Sequence, residues 1–211
     1  MGPPGAGKGI RGRIIGKMFD IPVITAGDML RDATSKGTED GLIAEGYMNR
    51  GDLVPDSIVI AIVEERLSKP DVEKGFVLDG FPRSMNQALA LERILKKLDA
   101  KLDCVLTVVA RPETIVARLS LRRICSKCGA IYHLKDIVPK VKGICDECGG
   151  SLIQREDDNE EIIRRRFEVY KKQTFPIIER YSTAGNLKEI SGELEIDEIP
   201  SILEKLLSPQ D

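Results

Sequence analysis

No apolar run in the 211 residues approaches the roughly 20 that a membrane-spanning helix needs. The amino end, Met1-Gly2-Pro3-Pro4-Gly5-Ala6, lacks the hydrophobic core of a signal peptide. Ala6 also breaks the N-myristoylation pattern, which asks for Ser or Thr at that place. A cytoplasmic location without membrane attachment is therefore expected. A large excess of one sign of charge is missing too. The 32 basic and 34 acidic side chains leave a formal charge of −2, which gives no support for a nucleic acid or a membrane as partner.

What is present fits one globular domain, or one core carrying small inserts. Hydrophobic residues make up 42% and charged residues 31%, in line with a real core under a polar surface. Short apolar runs alternate with longer amphipathic stretches. Strands are predicted at Val23-Ile24, Phe76–Leu78, Val105–Val109 and Leu187–Ile190. Helices are predicted over Ile58–Leu67, Met85–Leu98, Glu113–Arg122, Asn159–Thr183 and Ile196–Leu207. Continuous apolar strands between helices imply a parallel sheet buried on both faces, hence a three-layer α/β fold. Two stretches break the alternation: a glycine-punctuated helical segment over 28–54 and a cysteine-bearing segment over 125–153.

Gly2-Pro3-Pro4-Gly5-Ala6-Gly7-Lys8-Gly9 has the G-x-x-x-x-G-K spacing of a phosphate cradle. Glycines let backbone N–H groups converge on an anion, and Lys8 can reach the outer phosphates. Asp79 closes the apolar run Phe76-Val77-Leu78, where a parallel sheet would deliver a carboxylate towards Mg²⁺ through water.

Four of the five cysteines form two C-x-x-C pairs, Cys125/Cys128 and Cys145/Cys148. In a chain without an export signal this spacing favours a structural four-thiolate zinc site, with paired disulfides as the competing reading. A metal would replace the core that so short a segment can hardly build. Cys104 reads as a small buried hydrophobe, and His133, the single histidine, as a surface residue. A nucleic-acid-binding zinc ribbon is a rival, but lysines and acids are mixed around the cysteines and no row of aromatics accompanies them.

The cradle, Thr25-Ala26-Gly27-Asp28-Met29-Leu30-Arg31, Asp79-Gly80-Phe81-Pro82-Arg83 and Arg155-Glu156-Asp157-Asp158-Asn159 together resemble the successive signatures of the adenylate kinase family, in its zinc-binding long-lid form. The resemblance runs essentially end to end. It implies a P-loop kinase core over 1–24, 55–121 and 160–211, an AMP-binding insert over 25–54 and a zinc lid over 122–159. It also implies a monomer that transfers a phosphoryl group between ATP and AMP to give ADP, with Mg²⁺ accompanying ATP.

On the same resemblance ATP would meet Gly5, Ala6, Gly7, Lys8, Gly9, Ile10, Arg118, Arg122, Ile131, Tyr132 and Leu194. AMP would meet Ala26, Arg31, Asp52, Leu53, Val54, Gly80, Phe81, Pro82, Arg83, Gln87, Arg155 and Arg166, with Gln87 at the adenine edge. Lys8, Arg83, Arg122, Arg155 and Arg166 would carry the catalysis, and Asp157 and Asp158 would meet the arginines on closure. The acceptor is an ionised phosphate, so no general base is needed and the guanidinium forks carry the argument.

There are departures. Ile10 and Ala26 stand where the family has Thr, and Leu121 where it has Gly. Each removes about 0.5–1.5 kcal/mol at most if a hydrogen bond is lost. Only Met1 precedes the cradle where the family has an apolar strand, whose side chains would contribute on the order of 10 kcal/mol. The expectation is an incomplete start or low stability. The alternatives to the favoured activity are a catalytically weakened nucleotide-binding homologue and a kinase of another nucleoside monophosphate.

Overall fold

The computed structural model of the chain describes residues 1–208, the side chain of Glu156 aside, so the last three residues of the expected 160–211 core segment lie outside it. Nine α-helices and seven strands are found among the described residues. In chain order they are α1 (Lys8–Phe19), β1 (Val23–Thr25), α2 (Ala26–Ser35), α3 (Glu39–Asn49), α4 (Asp56–Leu67), β2 (Val77–Asp79), α5 (Met85–Lys97), β3 (Val105–Val109) and α6 (Pro112–Leu121). There follow β4 (Arg122–Cys125), β5 (Ile131–His133), β6 (Leu152–Ile153), α7 (Glu160–Val169), α8 (Phe175–Thr183), β7 (Leu187–Ser191) and α9 (Ile199–Leu207).

The core strands form two parallel pairs. β1 runs beside β2, with Val23 opposite Val77 and Thr25 opposite Asp79, and β3 runs beside β7, with Val105 opposite Leu187. On its other edge β3 meets Met1, whose carbonyl accepts from Val108 N at 3.0 Å. The mixed α/β architecture read from the sequence holds, and α1 packs on β1 and β2 while α8 packs on α5 and β7. Because the strands of each pair are parallel, Thr25 and Asp79 end one pair at a common edge, and Val109 and Ser191 end the other. The carboxyl edge of a parallel sheet is where such folds bind ligands.

Helix starts are set by local chemistry. Ser84 Oγ accepts from Gln87 N at 3.1 Å to cap α5, and Asn159 Oδ1 accepts from Ile162 N at 3.0 Å to cap α7. Glu160 and Glu161 add favourable charge to the first turn of α7. The long helix expected over Asn159–Thr183 is in fact divided by a wide π turn at Tyr170–Thr174. Pro176 lies two residues further on. It lacks an N–H and its ring would clash with the carbonyl four residues back, so the ladder opens there. Arg122, expected to end a helix, instead begins β4 with extended backbone.

Residues 25–54 do not build a core of their own. Ala26, Leu30 and Ala44 share one buried cluster with Val59 and Val63 of α4 and Leu91 of α5. The segment around the cysteines does make a small one. β5, β4 and β6 form an antiparallel sheet, and Cys125, Ala130, Tyr132 and Cys145 are buried beside it.

Among the described residues no helix is long and apolar enough to cross a membrane.

Candidate active site and cysteine cluster

A cavity of about 950 Å³ opens at the carboxyl edges of β1 and β2. Its walls come from every part of the chain. The cradle contributes Gly5, Gly7, Lys8, Gly9 and Ile10, and β2 with the following turn contributes Asp79, Gly80, Phe81, Pro82 and Arg83. Ala26, Arg31, Asp52, Leu53 and Val54 line one side, with Gln87 of α5. Arg118, Arg122, Ile131, Tyr132 and Leu194 line another, and Arg155 and Arg166 a third. Ala6 alone of the expected nucleotide contacts is absent from the wall. It is fully buried beneath the loop, where its methyl group joins the cluster of Val108, Ile190 and Leu203.

Lys8 opens α1, and its Nζ donates to Pro3 O at 2.7 Å across the loop. Burial, offset in part by Asp79 and reinforced by Arg83, Arg166 and Arg122, brings its pKa from 10.5 down to about 7. The same causes, burial first and repulsion from Arg166 next, bring Arg83 to about 10. Arg155 is brought to about 10 by burial and by Arg31 and Arg122. These cations crowd one another in low dielectric, a condition that an incoming polyanion relieves.

Acids aim them. Arg122 grips Asp158 through Nε at 2.8 Å and Nη2 at 2.5 Å. Arg166 Nη1 lies 2.8 Å from Asp157 Oδ2. Burial opposes ionisation of Asp157, yet Arg166 and Arg155 hold its carboxyl below the ordinary range. Asp28 takes Arg31 at 2.5 Å and Arg155 at 3.2 Å on the same oxygen, so residues on either side of the cleft are joined there. Arg83 is fixed by its own turn: Nε donates to Gly80 O at 2.9 Å, and Thr174 Oγ1 of the π turn donates to Arg83 O at 2.9 Å.

Gln87 sits at the wall with little free capacity. Its Nε2 donates to Asp56 Oδ1 at 2.8 Å and its Oε1 accepts from Arg83 N at 2.7 Å. Tyr132 likewise reaches the wall, but its hydroxyl donates to Cys145 Sγ at 3.5 Å and accepts from Asp146 N at 2.7 Å.

One expectation is corrected. His133 is not a surface residue: its side chain is only 12% exposed, Nδ1 lies 2.9 Å from Asp136 Oδ2, and it lines the cleft. The register of the antiparallel sheet, which pairs it with Arg122, draws it in.

The four paired cysteines converge. All four Sγ atoms lie within 4.8 Å of one another, Cys125 to Cys148 at 3.4 Å and Cys128 to Cys145 at 3.6 Å. A tetrahedral ion with bonds of about 2.3 Å to sulfur would set them roughly 3.8 Å apart, so the cluster fits a zinc-sized ion. None of the four is disulfide-bonded, and the meeting of all four sulfurs at one point favours the metal reading over two separate disulfides. Burial works against the Cys145 thiolate, but Tyr132 and the amides of Cys148 and Glu147 outweigh it and bring its pKa to about 6. Gly150 has no room for a side chain, because a Cβ there would stand 2.8 Å from both Cys125 Sγ and Lys127 Cβ.

A glycine nest at a helix start, a strand-end carboxylate and arginines converging from distant segments define the P-loop phosphotransferase class, with room for more than one phosphorylated ligand. Comparison with known proteins narrows the class. The family model described as "Adenylate kinase" matches residues 1–186. An adenylate kinase of Archaeoglobus fulgidus is 50% identical, covering 99% of this chain and 98% of that one. Adenylate kinases of Methanothrix thermoacetophila, 50% identical over 99% and 96%, and of Fervidobacterium nodosum, 46% identical over 98% and 95%, are similar over the same extent. The chain belongs to the adenylate kinase family.

Proposed function

We propose that this chain moves the terminal phosphoryl group of ATP onto the phosphate of AMP, giving two ADP, and runs the reaction in reverse. The bond from the terminal phosphorus to the bridging oxygen of ATP breaks as one to an AMP phosphate oxygen forms. No proton has to be removed from the acceptor, so positioning and charge neutralisation do the catalysis. The observation that carries this reading is the meeting of Lys8, Arg31, Arg83, Arg122, Arg155 and Arg166 in one cavity.

In this reading Gly5 to Ile10 hold the ATP phosphates, with Ala6 contributing backbone alone. Arg118, Arg122, Ile131, Tyr132 and Leu194 attend the rest of ATP. Ala26, Arg31, Asp52, Leu53, Val54, Gly80, Phe81, Pro82 and Gln87 receive AMP, and Gln87 meets the base by an edge freed from Asp56. Lys8, Arg83, Arg122, Arg155 and Arg166 surround the transferred group. Asp79 takes the water-bridged Mg²⁺ that accompanies ATP.

Residues 25–54 act as the acceptor insert and 122–159 as a lid, with 1–24, 55–121 and 160–211 as the core. Cys125, Cys128, Cys145 and Cys148 hold a structural zinc, which stiffens a lid whose own core is small. Closing that lid excludes water from the transfer. The partners are nucleotides rather than nucleic acid, the working unit is one chain, and the setting is cytoplasmic.

A coupled assay of ADP formation from ATP with AMP, GMP, CMP or UMP tests the reading. Turnover with AMP far above the other three is expected, and binding of ATP without turnover would instead favour a catalytically weakened homologue.

A further inference from the structure

Arg11, the fourth residue of α1, is buried to 3% exposure, and among the described residues no carboxylate pairs with it. Its guanidinium spans two backbone oxygens from opposite ends of the chain. Nη1 donates to Gly7 O in the cradle at 3.2 Å, and Nη2 donates to Ser191 O at the end of β7 at 2.5 Å. Gly7 leaves room for this group. Gly7 has φ +93, and a Cβ on it would stand 2.6 Å from Arg11 Nη1.

The segment reached by the other arm is held by three further side chains. Arg118 Nη1 donates to Gly192 O at 2.5 Å, and Glu193 accepts from Arg111 Nε at 2.8 Å and Thr114 Oγ1 at 3.0 Å. Glu193 and Leu194 line the cleft immediately beyond that anchor. We infer that Arg11 is a positioning residue for the nucleotide donor: one rigid fork fixes the distance between the phosphate cradle and the 191–194 turn, and so fits the cleft to the full length of a nucleoside triphosphate.

The planar fork suits the task. Its two terminal nitrogens are held at fixed separation, so both carbonyls are set together, which a lysine ammonium cannot do. Burial, with Arg118 nearby, lowers the Arg11 pKa to about 10, still charged at neutral pH. Burying an uncompensated cation is unfavourable for folding alone, in keeping with a residue kept for function.

This inference rests on the ATP reading of the cleft. The test compares calorimetric affinities for ATP, which must occupy both ends of the span, and for inorganic tripolyphosphate, which occupies the cradle alone. Wild type is compared with Arg11→Met and Arg11→Lys. Losing charge-assisted bonds is expected to weaken ATP by about tenfold in Arg11→Met while tripolyphosphate changes by less than about twofold. The KM for AMP should stay at the wild-type value.

Equal weakening of ATP and tripolyphosphate would confine the role of Arg11 to the cradle, by contact or by shaping the loop, and overturn the inference, as would unchanged ATP affinity. Should Arg11→Met fail to fold, Arg11→Lys decides. Lysine reaches one carbonyl only, so selective loss of ATP affinity supports the span, and wild-type ATP affinity overturns it. A wild-type chain that binds neither ATP nor AMP removes the functional reading and this inference with it.

Discussion

Arg122 and Asp158 form a forked ion pair, 2.8 Å and 2.5 Å, in which the aspartate side chain is wholly shielded from solvent. Asp158 sits in the turn before α7 and Arg122 at the first residue of β4, so the pair ties together the two ends of the cysteine segment. With its carboxylate partner gone, Arg122 would have no fixed direction. Asp158→Ala is expected to lower kcat by about a hundredfold, the scale of losing one aimed donor to the transferring group. Stability should fall on the order of 3 kcal/mol, since a mostly buried arginine is left unpaired. Steady-state kinetics and urea unfolding check both. Wild-type kcat at reduced stability would make the pair purely structural.

The pKa of Lys8 yields a prediction about pH. Without ligand it lies near 7, far under the usual lysine value. Below that pH the ammonium is charged and ready for phosphate. Above it, ATP must first restore the proton. ATP affinity should therefore be fullest below about pH 7 and decline as pH rises through 7 to 9, with protons taken up on binding. Calorimetry in buffers of different ionisation enthalpy measures that uptake. Lys8→Met should bind weakly and take up no proton in this window, because Arg83 and Arg155, near 10, remain charged throughout.

The cysteine cluster predicts a metal-dependent lid. Purified chain should carry about one zinc per molecule by elemental analysis. Stripping it, or replacing Cys145 by Ser, should unfold the 122–159 segment at lower temperature than the core and leave the core transition in place. Gly150→Ala should weaken metal binding by crowding Cys125 Sγ and Lys127 Cβ. A chain that holds no metal yet shows one cooperative transition at unchanged temperature would argue against a structural ion.

Much of the molecule was legible in the sequence because its signals are local. The G-x-x-x-x-G-K spacing, two C-x-x-C pairs and an Asp at the end of an apolar run each fix backbone or ligand chemistry within a few residues. What escaped depends on tertiary placement. Arg11 carries no such local signal, and its burial depends on the packing of α1 in the fold, where it reaches Ser191 at the end of β7. A geometric hint was available: helical side chains lean towards the amino end, so a residue four after Gly7 covers the cradle turn.

His133 became part of the cleft through cross-strand register, which sequence spacing does not give. Gln87 is expected at the adenine edge, and Asp56 and the Arg83 amide engage both of its ends. The π turn was signalled by Pro176 inside a helical period, and it supplies Thr174, the hydroxyl that holds the carbonyl of Arg83.

The account depends on one cleft gathering cations from segments far apart in sequence so that two nucleotides lie end to end. Calorimetric titration with a non-hydrolysable ATP analogue and then AMP tests that most directly. One equivalent of each per chain is predicted, with Arg166→Met weakening both if, as proposed, Arg166 flanks the transferred phosphoryl group. Saturation at a single nucleotide per chain, or mutual exclusion of the two ligands, would contradict it.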